Sequence, residues 1–173
     1  MKKLFQILAM AMMAVTLCNC GDKDEPTPGP TPPPHNPIGE DVAVNVANVS
    51  KTWELTAFSG SAEFPAEGQA AYLELTKEGK FELYQKNINC IGVVLYTGNY
   101  ELDEAAKSIT GTYSDGVKWA STYSITTMKD NSMGWTAGKE TTSFTLATEI
   151  PAEIKEVATP AEESRAASEI RLL

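Results

Sequence analysis

The sequence predicts an all-β domain of about eight antiparallel strands in up-and-down order, closed into a barrel or, as the alternative, left as an open antiparallel sheet of hairpins. Three observations carry this expectation. From Trp53 onward apolar residues recur at every second position within short runs, the period of a pleated strand with one dry face. Gly, Asp, Asn and Ser punctuate those runs at regular spacing, as turns require. Every identifiable connection after Ala71 is short, and short links force antiparallel neighbours.

The chain opens on an address. Lys2 and Lys3 precede a nearly unbroken apolar run over residues 4–17. A run of that length is short of the roughly 20 residues that span a bilayer. Positive charge, a short apolar stretch and then small or polar residues make a secretory signal over residues 1–19. Its end, Leu17-Cys18-Asn19-Cys20-Gly21, resembles the lipobox of bacterial lipoproteins, with Leu17 three places before a lipidated Cys20; Asn19 departs from the usual small residue. The resemblance implies acyl (palmitate) chains on Cys20. Each buried methylene contributes about 0.8 kcal/mol, so two or more chains anchor stably. Asp22-Lys23-Asp24-Glu25 is similar to the acidic export signal of surface-exposed Bacteroidetes lipoproteins. It implies an outer-membrane lipoprotein facing the cell exterior, with a periplasm-facing domain as the alternative.

Residues 20–37 form a tether. Its stretch over residues 26–37 is rich in Pro, which fixes φ and lacks a backbone donor, so it extends as polyproline II. At about 3.1 Å per residue it reaches on the order of 35–40 Å.

The domain occupies residues 38–150. Residues 41–50 suit either a short helical lead-in or an extended edge. Strands are then expected at 53–58, 71–76, 80–86, 93–102, 107–113, 119–127, 133–137 and 141–147. Lys77-Glu78-Gly79 is a tight hairpin loop, with Gly where φ > 0 is needed; Asp103-Glu104-Ala105-Ala106, Ser114-Asp115-Gly116, Lys129-Asp130-Asn131-Ser132 and Gly138-Lys139-Glu140 supply the later turns. Period two places Leu73, Leu75, Phe81, Leu83, Tyr96, Tyr100, Leu102, Ile109, Tyr113, Trp119, Tyr123, Ile125, Met133, Trp135, Phe144 and Leu146 on the apolar faces. Pro151 opens a short helix over residues 152–158 and Pro160 ends it. The remaining tail, within residues 151–173, carries Ile170, Leu172 and Leu173, which suit docking.

Trp53-Glu54-Leu55-Thr56, the hairpin from Tyr72 to Tyr84 and Ile109-Thr110-Gly111-Thr112-Tyr113-Ser114-Asp115-Gly116 resemble the lipocalin-like domains of Bacteroides lipoproteins, a calycin-type group. The resemblance covers more than half of the chain and implies an eight-strand barrel, whose interior is filled by side chains or holds one small ligand. Lipocalins proper place Gly two residues before the first-strand Trp; Lys51 stands there instead, so their ligand set does not carry over.

Composition narrows the function. The chain has 14 Lys and Arg against 23 Asp and Glu. Loss of Lys2 and Lys3 with the signal leaves 12 against 23, a net charge of −11. That field repels nucleic acid and anionic lipid head groups. The single histidine, His35, lies in the tether, so neither Ser-His-Asp nor Cys-His chemistry can be assembled in the domain. Cys90 is the one cysteine of the domain, which leaves no disulfide and no Cys-based zinc site. No phosphate loop or dinucleotide fingerprint is present. The expectation is therefore binding without turnover and without a cofactor. Tyr100, Trp119, Tyr123 and Trp135 are the candidate contacts for a small apolar or glycan ligand, unless these aromatics fill the core and the outer surface recruits a partner protein. A carboxylate-based hydrolase is the third possibility.

Overall fold

The lead-in to the first strand is partly extended and partly helical. The computed structural model describes residues 39–59, 65–86, 92–163 and 171–173. By contact the chain divides into residues 1–36 and residues 37–173; the expected signal, Cys20, His35, Cys90 and Ile170 lie outside the described residues. Asp41 makes an isolated antiparallel bridge to Lys129. One turn of helix follows, α1 (Val46–Val49), capped by the Asn45 side chain, which accepts from the Asn48 N–H at 2.9 Å. Such a cap satisfies a donor that a short helix leaves open.

Eight strands close into an antiparallel barrel: β1 (Thr52–Phe58), β2 (Ala70–Leu75), β3 (Lys80–Lys86), β4 (Val93–Asp103), β5 (Ser108–Tyr113), β6 (Tyr123–Met128), β7 (Ser132–Ala137) and β8 (Glu140–Leu146). Each pairs with its neighbour in sequence, and β8 returns to β1 with Trp53 opposite Leu146 and Leu55 opposite Phe144. Closure removes the exposed edges that an open sheet would keep. Gly79 has φ +75° in the β2–β3 loop, as its turn position demands. The seam between β5 and β6 is short, with Ser108 opposite Ser124 and Ile109 opposite Tyr123.

The inward residues are those that alternation selects, with one exception. Trp53, Leu73, Phe81, Ile109, Met133 and Trp135 are among the fully buried side chains. Leu146 is 39% exposed, because it ends β8 at the rim, where the wall runs out. One end of the barrel is stoppered by Val49 and Trp53, the indole Nε1 donating to the Val49 carbonyl at 2.9 Å.

Two elements differ from the sequence expectation. The strand expected from Trp119 begins at Tyr123. Residues 114–122 fold back on β5 instead: Tyr113 N–H donates to Val117 O at 2.8 Å and Trp119 N–H to Gly111 O at 2.9 Å. The helix expected over residues 152–158 stops as α2 (Ala152–Lys155), and β9 (Ala158–Pro160) pairs in parallel with the start of β4, Val93 opposite Ala158. β5 pairs only with the far half of β4, from Gly98 to Asp103, so the near half has an open edge that β9 covers. Ile150 and Ile154 pack on Tyr72, Tyr84 and Val93 in a second, smaller apolar cluster. No helix among the described residues is long and apolar enough to cross a membrane.

Candidate functional site

Three of the four aromatic candidates converge. Trp119 arrives on the loop before β6, Tyr123 opens β6 and Trp135 lies in the middle of β7. The Trp119 and Trp135 rings are 5.9 Å apart, and Tyr123 lies 5.4 Å from Trp135. Phe81 and Phe144 extend the stack, at 5.1 Å from Trp119 and 4.6 Å from Trp135. A Cβ on Gly111 would overlap the Trp119 indole, so only glycine at that position lets the ring lie against β5. Tyr100 stands apart, at the stoppered end, donating to Thr76 O at 2.6 Å and sharing a hydrogen bond with Ser50 Oγ at 2.9 Å.

All four are buried, Trp135 completely, in one continuous core with Leu55, Leu73, Ile109 and Met133. Among the described residues they complete the packing of the interior and line none of the surface recesses described below. The Nε1 atoms of Trp119 and Trp135 are buried without a hydrogen-bond partner among the described residues. Burial raises the Tyr100 and Tyr123 pKa values above 10.0, with Glu140 adding to the shift of Tyr123.

The opening lies at the other end, where β3 and β5 finish and β4 begins. There Tyr96, Thr97, Tyr113, Asp115, Glu162 and Arg171 bound a recess of about 190 Å³. Arg171 lines this recess, and Leu172 and Leu173 lie beside it against Gln85 and Tyr113. The Leu173 side chain is 5% exposed and belongs to the core, with Leu172 partly buried beside it. Tyr113 OH donates to Leu173 O at 2.8 Å. Burial pushes the Tyr113 hydroxyl well above its ordinary value, against the opposing effect of nearby Arg171. Arg171 pairs with Asp115, Nη1 donating to Oδ1 at 3.2 Å and Nη2 to Oδ2. That pairing, with the Val117 N–H, lowers the Asp115 carboxyl to about 2.

A second recess, about 690 Å³ and more open, runs beside β6 between Val42, Val44, Ile125 and Met128, with Glu104 and Lys107 at its edge. It lies beyond the short β5–β6 seam, where β6 has no strand partner on that side among the described residues and Val42 N–H donates to Met128 O at 3.1 Å. Among the described residues no group of three or more His, Cys, Asp or Glu side chains gathers as a metal site would need.

Tyr96, Tyr113, Asp115, Gln85 and Arg171 were not among the candidates drawn from sequence. The signals were present but weak: Ser114-Asp115-Gly116 serves a turn, with Asp115 Oδ1 accepting from Val117 N–H at 3.0 Å, and that role conceals its second one as the partner of Arg171.

No curated protein matches the chain. An NMR structure of a protein from Bacteroides uniformis is similar at 14% identity and a TM-score of 0.48, over 63% of this chain and 97% of that one. The family model of the lipocalin-like domain matches residues 49–135, which run from the stopper into β7. With a closed eight-strand meander, a first-strand Trp at its stoppered end and a recess at the other, the chain belongs to the lipocalin-like domain family.

Proposed function

We propose that this is a lipoprotein held at the outer membrane by acyl chains on Cys20, whose barrel binds a ligand with an apolar part at its mouth and does not turn it over. One observation carries the binding reading: beside the recess that Tyr96 and Tyr113 bound, an apolar side chain, that of Leu173, is already taken into the core. Barrels of this size hold at most one small ligand, and here aromatic packing occupies the interior, so the mouth is where a guest fits. The ring walls and buried Leu favour an apolar guest over a glycan, which needs more hydrogen-bonding groups than this recess presents. The single histidine lies in the tether, which removes histidine-dependent turnover from the barrel.

The filled interior also supports a second reading, a surface module that recruits a partner protein. A photoactivatable fatty acid and a glycan panel separate the two. Mouth binding predicts fatty-acid cross-links on peptides containing Tyr96 or Tyr113. Cross-links scattered over the outer surface, or none, would leave the interaction module.

A further inference from the structure

The segment in the mouth is held by the contacts a peptide makes. The Arg171 guanidinium lies 4.5 Å from the Tyr113 ring and 5.4 Å from the Tyr96 ring, an arrangement that favours a cation. Its two terminal nitrogens pair with both oxygens of Asp115, the fork geometry of arginine recognition. One residue on, the Leu172 N–H donates to Gln85 Oε1 at 3.2 Å. The next carbonyl, Leu173 O, accepts from Tyr113 OH, and the Leu173 side chain enters the core. Cation, main-chain donor, main-chain acceptor and apolar side chain each meet a receptor group, in order along the chain.

Those receptor groups belong to the barrel. Gln85 is the last residue but one of β3, Tyr96 lies in β4, Tyr113 ends β5 and Asp115 sits in the turn after it. Gln85 is 1% exposed, and an amide that deep is costly unless it is hydrogen-bonded. A chain with net charge −9 also draws a cationic partner over distance.

We infer that the barrel mouth is a binding site for an extended basic–apolar peptide segment, and that residues 171–173 are its resident intramolecular occupant, in competition with the same motif on another chain. This rests on the mouth being the binding site and names the class of its ligand. An occupant on the same chain acts at an effective concentration of roughly millimolar, so a free peptide competes poorly until residues 171–173 are displaced.

The test uses the full chain in mild non-ionic detergent and a fluorescein-labelled Gly-Ser-Gly-Arg-Leu-Leu peptide, followed by anisotropy. Arg171→Glu with Leu173→Asp expels the occupant, and the peptide is expected to bind this double variant at least tenfold tighter than the parent. A peptide with Glu in place of Arg should lose that gain, as should Asp115→Asn placed on the double variant. Should the double variant melt early, Arg171→Glu alone is expected to show the same direction with a smaller ratio. Equal affinity for parent and variant, or no binding to a variant with parent-like circular dichroism, overturns the inference. A photoactivatable fatty acid run on the same variant separates the failures. Cross-links at Tyr96 or Tyr113 without peptide binding reject the peptide and keep the mouth; neither signal rejects both.

Discussion

Single residues carry unequal weight in this barrel. Trp53 opens β1, is fully buried and ties its Nε1 to the helix that stoppers one end. Truncating a buried Trp to Ala costs about 3–5 kcal/mol, so Trp53→Ala should lower the urea midpoint strongly; a variant with the parent midpoint would contradict its place in the core. Asp115 sets the acid limit of tail docking. Its folded carboxyl titrates at about 2, below its ordinary 3.8. The Arg171 pair therefore contributes fully above about pH 4 and is lost as pH falls from there toward 2. An NMR titration of the Asp115 carboxyl should give a midpoint near 2, returning toward 3.8 in Arg171→Ala; an unchanged midpoint in that variant would remove Arg171 as the cause.

At the scale of elements, the outer face of β2 and β3 is not the wet surface that simple alternation predicts. Tyr72 and Tyr84 point outward and are covered by Ile150 and Ile154 around α2. β9 then lies along the open half-edge of β4. Ile154→Ala should cost about 2 kcal/mol or more, since a buried aliphatic is cut back to a methyl. It should also speed hydrogen exchange at the start of β4, where Ala161 N–H meets Leu95 O, and leave β6 and β7 protected. Uniform loss of protection around the barrel would show instead that α2 and β9 are part of its global stability. The bounds of β3 and β7 and the β2–β3 loop were legible in the sequence to within a residue, because pleat period and turn chemistry act locally. The parallel β9 was not, because its pairing depends on a half-edge of β4 that local pattern does not reveal.

At the scale of the whole molecule, the barrel is expected to work at the end of a lipid anchor and a stiff tether. Cys20→Ala should release soluble protein or leave an uncleaved precursor, as fractionation and mass spectrometry would show. A cleaved, unacylated variant still in the membrane fraction would reject the anchor at Cys20. The candidate site was only partly legible from sequence. Trp119, Tyr123 and Trp135 do meet, but they meet as packing, whereas the mouth is assembled from Gln85, Tyr96, Tyr113 and Asp115 on separate elements and completed by Arg171 from far along the chain.

The sequence by itself determined the number and order of the barrel strands and most of the inward set, since both follow from a two-residue pleat and short connections. It also placed the one histidine outside the domain, which bears on histidine-dependent chemistry alone. Only the tertiary structure decided whether that inward set encloses a cavity, for the same alternation suits a hollow barrel and a filled one, and the Trp119 indole against Gly111 settles the matter by occupying the space. The tertiary structure alone also decided where residues 171–173 lie, because three residues carry no periodicity, and their position depends on a recess that exists only once β3, β4 and β5 have come together.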